Sequence, residues 1–189
     1  MAITRLGGAN AITGTLPAAN INDTSIGNIT ALPAGVGGKV LQVVQGTSST
    51  QFAQSSPTDG TIYYPSSNKI SATITPSSSS SKILINYSST ARMNNTNSDP
   101  GVALALKESI SGGSTTTYRP STNAFASGFY VSTNTIGIFR VRLNYIVYST
   151  PSTTNEITYE VGVYGYSSPE IKLNVDNSEG KIILTEIAG

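Results

Sequence analysis

Cysteine, histidine and tryptophan do not occur in this chain, and charged side chains make up only 11% of it. Without Cys there is neither a disulfide nor a thiol nucleophile, so stability has to come from burial, backbone pairing and association. Without His the commonest general base and metal ligand is gone. No run of about eighteen apolar residues occurs, so no membrane insertion is expected. The opening MAITRLGGANAITG lacks the apolar segment of a signal peptide, which leads us to expect a protein made and kept in a cytosol. The 11 basic and 10 acidic residues leave a net charge of +1. Scattered as they are, they offer no stripe that could neutralise a phosphate backbone, so nucleic acid is not an expected partner.

Polarity is carried instead by Ser, Thr and Asn. A surface of hydroxyls and amides repels partners weakly and hydrogen-bonds readily, which suits a protein packed against copies of itself or other proteins. Carboxylates for a two-carboxylate glycosidase exist in Asp59, Asp99, Asp176, Glu108, Glu156, Glu160, Glu170, Glu179 and Glu186. Nothing in their spacing marks a facing pair, so no catalytic residue and no cofactor are expected. The loop NNTNSDPG at 94–101 gathers oxygen donors but offers one carboxylate, Asp99, and reads as an Asx turn rather than a Ca²⁺ loop. AGVGGKV fails as a phosphate loop, because no Ser or Thr follows Lys39 and a strand follows where a helix is needed.

Residues 1–37 differ from the rest. Ile3, Leu6, Ile12, Leu16, Ile21, Ile26, Ile29 and Leu32 are single apolar residues spaced by Gly, Ala, Asn and Thr, and no helix or strand period fits them. Ordering each residue costs on the order of 1–2 kcal/mol, more than such isolated side chains return. The segment therefore reads as an extended arm that needs pockets on a partner, with those eight residues as its anchors. LPAGVGGK, with Pro33 and three glycines, reads as the linker that ends it.

From residue 38 to 189 strand signals recur: KVLQVVQ at 39–45, TIYY at 61–64, KISATIT at 69–75, KILINYSS at 82–89 and VALALKESI at 102–110. They continue with residues 135–149, 156–166, 171–175 and 181–187, rich in Val, Ile, Thr and Tyr between Ser, Asn, Gly and Pro clusters. Almost no helix is expected. Phe139, Val141, Leu143, Tyr145 and Val147 share one face of a strand, and Ile138, Arg140, Arg142, Asn144 and Ile146 share the other. Ile157, Tyr159, Val161 and Val163 alternate with Glu156, Thr158, Glu160 and Gly162 in the same way. If these two segments form a hairpin, Arg140 and Arg142 sit near Glu160 and Glu156. The pattern predicts an all-β, antiparallel β-sandwich preceded by the extended arm, jelly-roll-like in topology, with an immunoglobulin-like arrangement as the alternative.

The 10 tyrosines are a further signal, since Tyr packs its ring and bonds through its hydroxyl on protein- and sugar-binding surfaces. Tyr63, Tyr64, Tyr118, Tyr130, Tyr164 and Tyr166, with Tyr148, fall at strand ends or near loops. They are candidates for a receptor or glycan surface, or for the rim of the sandwich or of a subunit interface.

The opening MAITRLGGANAITGTLPAANI, followed by ALPAGVGGKVLQVVQ, resembles the N-terminal region of bacteriophage tail-fibre-like and other virion proteins, especially of marine and cyanobacterial phages. ISATITPSSSSSKILI, the strands around Arg140 and Tyr159, and the closing GKIILTEIAG resemble the β-domain of those proteins, so that the likeness spans nearly the whole chain. ALPAGVGGKVLQVVQ is its most specific part. The resemblance implies a virion component assembled in the host cytoplasm, often a homotrimer, attached to tail or capsid proteins through its N-terminus and displaying the β-domain. It implies no catalytic residue. Lacking a repetitive shaft, the chain fits a short tail fibre, a fibre adaptor or a capsid decoration protein; a glycan-binding host-recognition module is a third expectation.

Overall fold

β-Branched and aromatic side chains pack well on a pleated surface, and the segments rich in them are extended in the structure. It is a computed structural model that describes residues 39–96, 99–119, 128–132 and 136–189. The strands are β1 (Val40–Ser48), β2 (Phe52–Ser55), β3 (Ile62–Tyr63), β4 (Ser71–Ile74), β5 (Lys82–Asn95) and β6 (Gly101–Ile110). They continue as β7 (Thr115–Tyr118), β8 (Phe129–Tyr130), β9 (Gly137–Ser149), β10 (Ile157–Tyr166), β11 (Glu170–Leu173) and β12 (Gly180–Ile187). One short 3₁₀ turn, Val175–Asn177, is the only helical element among the described residues.

In the first sheet β1, β12, β5 and β9 lie side by side, and β11 and β2 extend it beside the far half of β5. In the second, β4, β10, β6 and β7 lie side by side, with β3 and β8 added along β10 and β6. Every pairing is antiparallel. The chain passes from β1 in the first sheet to β4 in the second, back to β5, across to β6 and β7, back to β9, across to β10 and home to β12. This winding is the jelly roll expected from the sequence.

Alternation places the core. Ile83, Ile85, Tyr87, Ala91 and Met93 of β5 and Ile182 and Leu184 of β12 are fully buried, as are Val102, Leu104 and Leu106 of β6 and Ile157, Tyr159, Val161 and Val163 of β10. Phe139, Val141, Leu143, Tyr145 and Val147 of β9 pack against this cluster and are half-buried. β5 runs six residues beyond the expected strand, because Ala91 and Met93 continue its inward face while Arg92 and Asn94 point outward.

The two flanks of the sandwich differ. Along β1 it is stitched shut: Gln42 Nε2 donates to Thr75 O at 2.8 Å, and the Ser48 hydroxyl donates to Asn68 O. Gly46 lies so close to β4 that a Cβ there would fall 1.8 Å from Ser71 O. Along the opposite flank, β9 and β7 leave a groove.

β9 and β10 do not form the expected hairpin. Their inward faces meet the same core from opposite sides, so the intervening residues cross from one sheet to the other. Period two says which residues face the core; it does not say which sheet they belong to. Arg140 and Arg142 are accordingly far from the expected acids. Arg140 pairs with Asp176 at 3.1 Å, whereas Glu160 takes Lys69 at 3.1 Å and Lys107 at 2.8 Å. Nor is the second face of β10 exposed, since Glu160, Gly162 and Tyr164 are buried. The ring of Tyr64 and the side chain of Ile62 lie where a Cβ on Gly162 would be, and Lys107 Nζ sits 4.3 Å from the Tyr64 ring centre.

Candidate association surface

The outward face of the first sheet is ordered in rows by its register. Tyr148, Leu84, Thr185 and Val43 form one row across β9, β5, β12 and β1, and Ile146, Asn86, Ile183 and Gln45 form the next. Val43, Ile146 and Tyr148 are 60%, 66% and 51% exposed, so apolar area stands in water at one end of the sheet. At the other end Arg140, Arg92 and Lys172 form a basic row. Glu170 answers two of these cations, Arg92 at 2.7 Å and Lys172 at 3.4 Å, and Asp176 the third. Arg142, between the two ends, donates to Glu179 O at 2.8 Å and to the Ser88 hydroxyl at 2.9 Å. Exposed apolar side chains beside a neutralised polar zone are the character of a protein-binding face rather than of a phosphate-binding one.

The open flank adjoins this face. Thr117, Tyr118 and Arg119 on one side and Tyr145, Ile146 and Val147 on the other line a groove of about 360 Å³. Behind the groove's Tyr118, Glu108, almost fully buried, accepts hydrogen bonds on one oxygen from Tyr159 at 2.8 Å, Ser149 at 2.5 Å and Tyr118 at 3.2 Å. Burial pushes the hydroxyls of Tyr159 and Tyr118 up from their ordinary value, and the neighbouring Glu108 carboxyl adds to the effect. Tyr145, packed 5.6 Å from the Tyr87 ring, is pushed up to about 12, again chiefly by burial.

Most of the carboxylates considered from the sequence serve as structural ties. Besides Glu108, Glu160, Glu170 and Asp176, Glu179 pairs with Lys181 at 3.1 Å and Asp59 accepts the Ser167 N–H at 2.7 Å. Glu186 is fully buried. Its burial works to raise its pKa, but hydrogen bonds from Ser77 and Gln42 outweigh that and hold its carboxyl at about 2. Among the described residues no group of three or more metal-ligating side chains occurs, and no helix is long and apolar enough to cross a membrane.

The tyrosines singled out from the sequence do not converge. Tyr118 lines the open groove. Tyr63 accepts the Thr58 N–H at 2.9 Å and, with Tyr64, belongs to the cover over β10. Tyr164 is fully buried beside Ala103 and Ala105, with Tyr166 packed against that cluster, so Tyr164 presents nothing to a receptor. Tyr130 is 39% exposed, in β8. Ile3, Leu6, Ile12, Leu16, Ile21, Ile26, Ile29 and Leu32 lie outside the described residues. Sequence reading missed the apolar rows because they join residues far apart in the chain: Val43, Leu84, Tyr148 and Ile183 meet only through the register. The one local clue was Ile138 and Ile146 on the polar side of β9.

No protein-family model matches the chain, and no curated protein matches it. Among solved structures it is similar to a chain in the structure of infectious bursal disease virus Gt strain, with 13% identity, a TM-score of 0.34, and 78% of this chain and 38% of that one covered. It is also similar to a mutant VP2 protein of infectious bursal disease virus in derived particles, with 14% identity, a TM-score of 0.32, and 77% and 37% covered. The VP2 subviral particle of the same virus gives 8% identity, a TM-score of 0.29, and 78% and 40% covered. The chain thus spans about two fifths of the length of the chains it matches.

Proposed function

We propose that this protein is a non-enzymatic structural component of a bacteriophage particle, of tail-fibre or fibre-adaptor type. In this reading residues 1–37 dock on other virion proteins through Ile3, Leu6, Ile12, Leu16, Ile21, Ile26, Ile29 and Leu32, and residues 38–189 form the displayed sandwich. The observation that carries the association half of the reading is the exposure of Val43, Ile146 and Tyr148 in two adjacent rows of the first sheet's outer face. Such area costs solubility unless a partner covers it. The resemblance of ALPAGVGGKVLQVVQ to phage virion proteins supplies the virion half, and the scarcity of charge supports both.

Cryo-electron microscopy of the intact particle tests it. Density for the chain on the tail is the expected result. Density spread over the capsid lattice would favour the capsid decoration reading, in which the same arm staples neighbouring head subunits. Absence of the chain from purified particles would overturn both.

A further inference from the structure

A strand at the edge of a sheet offers a row of backbone donors and acceptors to any other strand, and proteins blunt such edges with shortness, bulges, lysines, prolines or a covering element. Most edges here are blunted. β2, β3, β4, β7 and β8 are four residues long or shorter. β1 carries a register shift between Val40 and Gln42 and is stitched to the Asn68–Thr75 segment.

β9 is the exception. It has 13 residues, no Pro and no Lys, and its two charged residues are engaged within the chain, Arg140 by Asp176 and Arg142 by Glu179 O and Ser88. Its pairing with β5 runs from Gly137 to Ser149 without a register shift, and among the described residues β5 is its one strand neighbour.

We infer that the edge of β9 pairs antiparallel with the same strand of a second copy, about a two-fold axis at Leu143. The sequence of β9 is complementary to itself in that register. A two-fold perpendicular to the sheet keeps inward faces together, so opposed residues share a face. With Leu143 on the axis all thirteen residues are paired. Inside, Val141 meets Tyr145 and Phe139 meets Val147. Outside, Arg142 meets Asn144, Arg140 meets Ile146, and Ile138 meets Tyr148.

Ile138 and Tyr148, 54% and 51% exposed at opposite ends of one strand, then cover each other, and no like charges are opposed. Moving the axis to Arg142 sets two guanidinium groups face to face, which destabilises a cross-strand pair. Moving it to Asn144 leaves Ile138 without an opposite residue in the strand.

A ladder of about 44 Å, at roughly 3.4 Å per residue, joins the two first sheets into one. Because the contact is isologous it closes at two copies. A three-fold association would have to use another surface, such as the apolar outer rows. The inference is independent of the virion reading: either can fail alone.

The absence of native cysteine makes the test clean. Full-length Ile138→Cys and Tyr148→Cys proteins are oxidised separately and as a mixture, and wild type is sized by sedimentation equilibrium at micromolar concentration. The expected result is a wild-type dimer, with a disulfide-linked dimer only in the mixture. In the proposed register positions 138 and 148 are opposed, whereas each is ten residues from its own copy, roughly 34 Å along the strand.

Asn144→Glu, which places a carboxylate opposite the partner's Arg142, is expected to tighten the dimer by about two- to thirtyfold, and Asn144→Arg to weaken it by a similar factor. A monomeric or trimeric wild type would overturn the inference, as would cross-linking of Ile138→Cys to itself. So would a cross-link of position 138 to a cysteine introduced at Ile12 or Ile29, which would give the edge to the N-terminal arm instead.

Discussion

Ser77 presents both its backbone N–H and its hydroxyl to one oxygen of Glu186, at 2.7 and 2.6 Å. The other oxygen accepts from Gln42 at 2.6 Å. A single carboxylate on β12 thus ties β1 to the segment between β4 and β5, and closes the stitched flank of the sandwich. Three donors aimed at a buried oxygen pair explain why Glu186 stays ionised although burial works against its charge.

Removing that carboxylate leaves the donors of Ser77 and Gln42 without their partner. Glu186→Ala is expected to lower stability by about 3 kcal/mol, and Glu186→Gln by roughly half as much, since the amide still accepts on one side. Urea denaturation at neutral pH measures both.

The same site sets an acid limit. The folded pKa of Glu186, about 2, lies below its ordinary value of 4.5. Its contribution is therefore fully present above pH 4.5 and is lost as pH falls through about 2. The stability gap between wild type and Glu186→Gln should close across that window. A gap that stays constant from pH 5 to pH 2 would contradict the assignment.

At the alkaline end the buried tyrosines act in the opposite direction. The hydroxyls of Tyr159, Tyr118, Tyr87 and Tyr145 are all raised above 10.0, so the unfolded chain ionises first. Their contribution is intact below pH 10 and falls as pH rises beyond it. Tyr159→Phe, which removes one donor to Glu108, is expected to cost about 1–2 kcal/mol at pH 7 and to flatten the loss of stability above pH 10. A pH titration of the thermal unfolding midpoint reads both effects.

Close approach at Gly46 gives a steric prediction. A methyl group there meets the backbone of Ser71 and not a movable side chain, so β1 or β4 has to shift. Gly46→Ala should cost about 3 kcal/mol or more. At Gly112, where φ is 70° and nothing lies within 4 Å, alanine meets only backbone strain of about 1–2 kcal/mol. Comparable losses at the two positions would mean that β1 does not pass β4 this closely.

Which residues face the core was legible in the sequence, because a half-buried strand writes its burial directly as alternation. Phe139 to Val147 and Ile157 to Val163 were placed on their correct faces that way. Pairing partners were not legible, since the same alternation serves either sheet; hence the misplaced ion pairs of Arg140 and Arg142. The short strands β2, β7 and β8 were missed because FAQS, TTTY and FY hold too few residues to show a period. Buried polar hubs such as Glu108 and Glu186 were hidden for another reason: each depends on donors at least 41 positions away for most of its bonds. The candidate association surface combines both difficulties, being built from alternate residues of four strands.

That surface can be tested apart from the fold. Val43 and Ile146 are more than half exposed, so exchanging either for lysine removes little buried area and should change folding stability by no more than about 0.5 kcal/mol. Association should respond differently. A lysine placed in a contact that excludes water has to be desolvated without a partner, and the affinity of the outer face for whatever covers it should fall at least tenfold. The measurement is paired: thermal unfolding of Val43→Lys and Ile146→Lys, and their incorporation into particles in competition with wild type. Loss of incorporation with unchanged unfolding assigns the rows to assembly. Normal incorporation of both variants would leave the apolar rows without that role, whatever the arm does.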